Sequence, residues 1–130
     1  MKKKNILVIE DDPDISKAVA FALKRHGYDV HLASDGDTGL KTVFKLIPDL
    51  VILDLMLPGL SGEEICKGVR ESGLDGVEKI PIMMLTAKTM LSDRIVGKVI
   101  GANVYMTKPF AMEELIREVE GLLAATHGQS

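Results

Sequence analysis

Short apolar runs alternate along the chain with longer segments whose apolar residues recur at helical spacing. Three of the runs are almost continuously apolar, at residues 6–9, 50–53 and 80–85. Runs that are apolar on both faces are typical of central parallel strands that helices cover on both sides. Two weaker runs predict further strands at residues 28–32 and 103–106. The pattern therefore predicts five strands.

Five other segments show the period of amphipathic helices, and several carry recognisable end signals. Asp12 is the predicted N-cap of the first helix, and Ser61 with Glu64 forms a predicted capping box at the start of the third. A fourth helix is predicted over residues 92–100. The last helix is expected to give way to a frayed tail at residues 125–130.

Alternating strands and helices predict an α/β fold, a doubly wound parallel sheet with five helices and right-handed crossovers. A chain of 130 residues has room for one domain, which we place at residues 4–124. In such folds the ligand site lies outside the carboxyl ends of the strands.

The composition of the chain excludes several classes of protein. The chain is 46% hydrophobic, which excludes disorder, and its single cysteine excludes a disulfide framework. No stretch approaches the roughly 20 apolar residues that span a bilayer, and the apolar run after the basic N-terminus is too short for a signal peptide. A net charge of −3 with no tryptophan argues against a nucleic-acid surface. We therefore expect a small cytoplasmic domain that contacts neither membrane nor nucleic acid directly.

Polar residues with related chemistry follow four of the predicted strands. The first strand ends in the acidic run 10–12, the third in Asp54, the fourth in Thr86, and the fifth leads to Lys108. Carboxylates held about 4 Å apart repel by roughly 4 kcal/mol at an effective dielectric constant near 20. A hard divalent cation such as Mg²⁺ relieves that repulsion, and it commonly binds phosphate oxygens as well. A hydroxyl and an ammonium group would bind the remaining oxygens of a phosphoryl group.

Four sequence blocks carry a family resemblance: VIEDD at residues 8–12, DLVILDLMLPG at 49–59, MLTA at 84–87 and GANVYMTKPF at 101–110. With these blocks the chain resembles the receiver domains of bacterial two-component response regulators, in particular the single-domain, chemotaxis-regulator-like type. The resemblance implies a flavodoxin-like fold with strand order 2-1-3-4-5. It also implies a phosphoacceptor switch domain that assists its own phosphorylation and dephosphorylation, rather than an enzyme.

The resemblance assigns the acidic residues. Asp54 matches the phosphoacceptor. Glu10 and Asp11 match the pair that holds Mg²⁺, with Mn²⁺ as a plausible substitute, together with Asp54 and the backbone carbonyl of Met56. The pair could also lie one residue later, at Asp11 and Asp12, because the end of the first strand decides the register.

The resemblance also assigns the groups on the other side of the site. Thr86 matches the hydroxyl that contacts the phosphoryl group, Lys108 matches the lysine that pairs with Asp54, and the bond to Pro109 is cis in the family. Tyr105 matches the aromatic residue that turns inward when Thr86 moves toward the phosphate. That movement would reshape the face formed by the fourth helix, the fifth strand and the last helix. A sensor histidine kinase or phosphotransfer protein, and a downstream target protein, would be the partners of a monomer or of a phosphorylation-dependent dimer.

Three other interpretations remain open. An aspartate-nucleophile phosphatase would need a second aspartate two residues after the nucleophile, where this chain has Met56. A flavin-binding domain would need a phosphate loop in place of the acidic run 10–12. A receiver used as an unphosphorylated scaffold is the third. One departure from the family pattern is Asn103, which stands where an acid is common.

Overall fold

The computed structural model describes residues 2–87 and 101–128. The strands are β1 (Asn5–Ile9), β2 (Asp29–Ala33), β3 (Leu50–Asp54), β4 (Ile82–Ala87) and β5 (Val104–Lys108). The helices in these ranges are α1 (Pro13–Arg25), α2 (Gly36–Leu46), α3 (Gly62–Arg70) and α4 (Met112–Gly128). Four of the five predicted helices are thus found, and the one predicted over residues 92–100 lies outside the described residues.

All five strands are parallel and lie in the order β2-β1-β3-β4-β5. The predicted flavodoxin-like topology is therefore confirmed. Asp54 at the end of β3 is in register with Leu85, and Lys108 at the end of β5 is in register with Ala87. Because the strands are parallel, their carboxyl ends lie along one edge of the sheet.

Helices cover both faces of the sheet, and each face has its own apolar core. One core joins alternate strand residues such as Ile9 to Val43 of α2 and Ile65 of α3. The other joins the opposite face of the same strands to Val19 of α1 and Leu115 of α4. Burial on both faces explains why the central strands are continuously apolar.

The helix starts that the sequence predicted are present. Asp12 Oδ1 accepts hydrogen bonds from the backbone N–H groups of Asp14 at 2.9 Å and Ile15 at 3.4 Å. The Ser61 hydroxyl accepts from the Glu64 N–H at 3.1 Å, and the Glu64 carboxylate accepts from the Ser61 N–H at 3.0 Å. These contacts satisfy backbone donors that have no partner inside the helix.

Most strand boundaries differ from the prediction by one or two residues, and two differences have a clear cause. Strand β4 begins at Ile82 instead of residue 80, because Pro81 has no N–H to donate to a neighbouring strand. Helix α4 continues to Gly128, so residues 125–128 are helical rather than frayed. The helix-forming residues Ala124 and Ala125 support that extension.

Within residues 2–87 and 101–128, no helix is both long enough and apolar enough to cross a membrane.

Candidate functional site

Three strand ends bring charged side chains together at the carboxyl edge of the sheet. Glu10 directly follows β1, Asp54 is the last residue of β3, and Lys108 is the last residue of β5. The Lys108 Nζ lies 2.7 Å from Glu10 Oε1 and 3.0 Å from Asp54 Oδ2. Residues 54 positions apart in sequence therefore share one ion-paired centre.

Glu10 and Asp54 are almost completely removed from solvent. Their side chains are 0% and 7% exposed, whereas that of Lys108 is 23% exposed. A carboxylate in such a place needs a charged or hydrogen-bonding partner, because desolvation without one is costly. The ammonium group supplies this partner for both acids.

Asp11 adds a third carboxylate to the same centre. Carboxylate oxygens of Glu10, Asp11 and Asp54 all lie within 4.8 Å of one another. When ionised, they carry three negative charges against the single positive charge of Lys108, which leaves a net charge of −2 on these four groups. An all-oxygen donor set with this charge fits a hard divalent cation, so the residues present fit Mg²⁺.

Asp12 takes no part in this cluster. Its carboxylate caps α1, while its backbone N–H donates to Glu10 Oε2 at 3.1 Å. The structure thus groups Glu10 with Asp11 rather than Asp11 with Asp12. Asp12 orients the buried acid through its backbone and begins the helix with its side chain.

The second oxygen of Asp54 is held by the loop that follows β3. Asp54 Oδ1 accepts a hydrogen bond from the Met56 N–H at 3.1 Å. The Met56 side chain is 63% exposed, at the position where an aspartate-nucleophile phosphatase would carry its second acid. No carboxylate therefore occupies that position.

The charge state of Lys108 follows from its neighbours. Burial alone would lower the pKa of Lys108, but the hydrogen bonds and negative charges of Glu10 and Asp54 outweigh it and raise the pKa above its ordinary value. Lys108 therefore stays protonated at neutral pH and remains a hydrogen-bond donor.

Thr86 and Tyr105 lie on the same face of the sheet. Thr86 is buried, and its hydroxyl donates a long hydrogen bond of 3.3 Å to the Ala87 carbonyl. Tyr105 is half-buried against the core on the α2 and α3 side, and it is in register with Met84, two residues before Thr86. Side chains two residues apart on a strand point to the same face, so Thr86 and Tyr105 are diagonal neighbours.

Two further features border the site. The peptide bond between Lys108 and Pro109 is cis. Asp11 and Met56 line a groove that opens beside the carboxylates and leads to Ser61.

Two arrangements, one beside the site and one away from it, were not foreseen from the sequence. The first turn of α2 contacts the loop after β3 through Gly36 and Pro58, and Arg70 binds backbone carbonyls at the opposite end of the sheet. The glycines at positions 36 and 59 were a signal for the first contact, because close backbone approach requires glycine. A lone arginine near a helix end gives no comparable signal.

Comparison with known proteins places this geometry in a family. The profile of the response regulator receiver domain matches residues 6–120. The matched range includes the acidic cluster, Thr86, Tyr105 and Lys108.

Three solved structures illustrate the similarity. A provisionally named response regulator from Chloroflexus aurantiacus J-10-fl is 36% identical with a TM-score of 0.87, and the match covers 95% of this chain and 99% of that chain. The chemotaxis response regulator CheY4 of Vibrio cholerae is 30% identical with a TM-score of 0.85, covering 93% and 99%. The BeF3-activated N-terminal receiver domain of Klebsiella pneumoniae RstA is 30% identical with a TM-score of 0.81, covering 92% and 97%.

Proposed function

This chain belongs to the response regulator receiver domain family, and from that premise we propose that it is a phosphorelay switch with Asp54 as the phosphoacceptor. The observation that carries the proposal is the convergence of Glu10, Asp11, Asp54 and Lys108 from three strand ends. The protein is a phosphorylated signalling domain rather than a catalyst of turnover on another substrate.

The transfer step needs little more than position and charge. One carboxylate oxygen of Asp54 forms a bond to phosphorus while the bond from phosphorus to the donor breaks, and the donor keeps the electron pair. The donor is the phosphohistidine of a sensor kinase or phosphotransfer protein, or a small acyl phosphate. Lys108 donates hydrogen bonds to the incoming oxygens. Thr86 follows Leu85, the residue in register with Asp54, and its hydroxyl would donate a further hydrogen bond.

Mg²⁺ would be held by Glu10, Asp11, Asp54 and the backbone carbonyl of Met56, and when bound it supplies positive charge against the phosphoryl oxygens. The net charge of −2 on the cluster is the reason that a divalent ion is needed. Mn²⁺ has the same charge and also prefers oxygen ligands.

The switch follows from the added charge. Phosphorylation replaces one negative charge on Asp54 with about two and adds acceptor oxygens. Thr86 donates to them and moves away from Ala87, since its present hydrogen bond is long and weak. Tyr105 then occupies the space that Thr86 leaves on the same face of the sheet. The affected surface includes β5 and α4, together with the predicted helix over residues 92–100, and it would bind a downstream protein.

Labelling by acetyl phosphate tests the phosphoacceptor assignment. Incubation with acetyl phosphate and Mg²⁺ should add one phosphoryl group to the chain, as measured by intact mass. The gain should disappear in Asp54→Asn and when a chelator removes the metal. Asp49→Asn is a matched control, because Asp49 lies at the opposite end of β3 and binds the Asn5 backbone.

Each outcome separates the competing interpretations. Labelling of Asp54→Asn at the wild-type level would remove Asp54 from its role. No labelling of the wild type under any metal condition would favour the unphosphorylated scaffold. Steady release of phosphate from many added substrates would favour a phosphatase, which the exposed Met56 argues against.

A further inference from the structure

The loop after β3, residues 55–61, carries the Met56 carbonyl and is held between two helices. We propose that the start of α2, consisting of its N-cap Asp35 and residues 36–37, is a positioning element for the Mg²⁺ site that acts by fixing this loop. The inference rests on the proposed function, because it assigns a role to α2 in the binding of that cation. No residue of α2 lies in the acidic cluster.

The contact between α2 and the loop is made through backbone. The Gly36 N–H donates a hydrogen bond to the Pro58 carbonyl at 3.0 Å. A Cβ atom on Gly36 would overlap the Leu60 carbonyl oxygen and lie 2.7 Å from its carbon. The two segments therefore approach so closely that only glycine fits at position 36.

The loop side of the contact also requires glycine. Gly59 has a φ of +78°, and a Cβ atom there would overlap the carboxylate of Asp37. A positive φ is costly for residues that carry a Cβ. Both the start of α2 and the loop after β3 therefore need a glycine where they meet.

The remaining anchors lie at the two ends of the loop. The Leu55 N–H donates to the Leu85 carbonyl at 2.9 Å, which ties the start of the loop to β4. The Gly62 N–H donates to the Leu55 carbonyl at 3.0 Å, which ties the end of the loop back to its start. Within the loop, the Met56 N–H donates to Asp54 Oδ1, and the contact with α2 holds Pro58, two residues beyond Met56.

The α2 turn is itself held in place. Asp35 Oδ1 accepts a hydrogen bond from the Thr38 N–H at 2.7 Å, and the Thr38 hydroxyl donates to Asp35 Oδ2 at 3.0 Å. Because these hydrogen bonds fix the α2 turn, the turn can in its place fix the loop after β3 that it contacts. Since Mg²⁺ demands near-ideal octahedral geometry, displacement of the Met56 carbonyl by a fraction of an ångström should weaken binding.

Gly36→Ala and Gly39→Ala form a matched pair for the test. Both substitutions add a Cβ atom to α2 where space is lacking, but at Gly39 it meets the Ile9 side chain, 2.7 Å away, instead of the loop. Gly36→Ala should raise the Kd for Mg²⁺, measured by titration calorimetry on the full chain, at least tenfold. Gly39→Ala should lower the Tm and leave this Kd within a factor of two.

Hydrogen exchange of the metal-free protein gives a second readout that does not depend on binding. In Gly36→Ala the amides of residues 56–60 should exchange faster than in the wild type, whereas in Gly39→Ala they should not. Equal Kd values for the two variants, or equal exchange in residues 56–60, would overturn the positioning role.

Gly59→Ala keeps the test decisive if Gly36→Ala does not fold. Its Cβ atom meets the end of the Asp37 side chain, and Asp37→Ala in the same chain removes that obstacle. Gly59→Ala should raise the Kd several-fold, and the double variant should recover part of the loss. Absence of any coupling between the two changes would count against the contact. A wild type that binds Mg²⁺ but takes no phosphoryl group from acetyl phosphate would overturn the proposed function while leaving the positioning role intact.

Discussion

Two half-buried cations lie at opposite ends of the sheet, and the oxygens around them differ in charge. At the carboxyl end, Lys108 contacts the carboxylates of Glu10 and Asp54. At the amino end, Arg70 donates to neutral oxygens, namely the carbonyls of residues 78, 80 and 101 and the side-chain amide of Asn103, at distances of 2.7–3.0 Å.

The pKa shifts of the two cations have opposite signs. Burial lowers the pKa of Arg70, since its hydrogen-bond partners carry no charge to offset it fully. For Lys108 the two carboxylates outweigh burial and raise the pKa. Both side chains remain protonated at neutral pH, but only Lys108 belongs to a cluster with excess negative charge.

The difference distinguishes a cation that holds segments of the fold together from a cation that belongs to the candidate site. Arg70 joins α3, the segment before β4 and the segment before β5 through fixed carbonyls, which neither a metal ion nor a phosphoryl group would displace. Lys108 sits among charges that a divalent cation and a phosphoryl group would redistribute. We therefore expect Arg70 to contribute to folding and Lys108 to contribute to phosphoryl transfer.

The largest expected effect comes from Lys108→Ala. Loss of one preorganised donor to a developing negative charge typically costs about 100- to 1,000-fold in rate. The rate of labelling by acetyl phosphate, followed by intact mass, should fall by that factor. Lys67→Ala is the control, because Lys67 is exposed on α3, and its labelling rate should match the wild type. An unchanged labelling rate in Lys108→Ala would show that Lys108 does not contribute to phosphoryl transfer.

Arg70→Met should instead reduce stability. It leaves several backbone carbonyls near the amino ends of β4 and β5 without their donor, and hydrogen bonds to charged groups contribute about 1.5–3 kcal/mol each. We expect the free energy of unfolding, from urea denaturation, to fall by about 2–3 kcal/mol, with the labelling rate of the folded protein unchanged. A large loss of labelling rate without loss of stability would reverse the roles of the two cations.

The pH dependence of stability should distinguish Lys108 from Arg70 at alkaline pH. Because the folded pKa of Lys108 is raised, its contribution is fully present below the ordinary value of 10.5 and is lost as pH rises through the folded pKa. The difference in unfolding free energy between wild type and Lys108→Ala should stay constant from pH 7 to about pH 10 and shrink above 10.5. Subtracting the variant removes the contribution of Tyr28, whose pKa is raised by burial and by Glu120. A difference that grows above pH 10.5 would contradict the assigned charges.

The smallest effect is expected from Asn103→Asp, which places a charge opposite Arg70. Asn103 Oδ1 already accepts from Arg70 and from the Ile82 N–H, both at 2.8 Å, and an aspartate oxygen could accept the same bonds. Because the position is exposed, we expect a gain of about 0.5 kcal/mol at pH 7. The pKa of the new carboxyl would be depressed, so the gain should disappear as pH falls below about 4. Urea denaturation at pH 7 and pH 3.5 would measure both values.

The fold could be predicted from the sequence because the signals for its strands and helices are local. Continuous apolar runs identified the central strands, and the caps at Asp12 and Ser61 are contacts within one helical turn. The identity of the site residues was also accessible, since parallel strands place their carboxyl ends on one edge. The roles assigned to those residues stay predictions until the labelling is done.

Other features depend on which segments meet in space. The register of the acidic pair was ambiguous in the sequence, because residues 10–12 are all acidic. The structure groups Glu10 and Asp11 with Asp54, and Asp12 caps α1. The segment between α3 and β4 contains Val77, which is 2% exposed and belongs to the core.

By itself, the order of apolar and polar residues determined the strands and helices of the described ranges, their parallel arrangement and the kinds of group at the edge of the sheet, because hydrophobic periodicity and helix capping act over a few residues. Only the tertiary structure decided that Lys108 bridges Glu10 and Asp54, that Arg70 binds four oxygens from two separate segments, and that Gly36 touches the loop after β3. These contacts join residues from different elements of the fold, and distances of about 3 Å between such residues are set by how the helices and strands pack against one another.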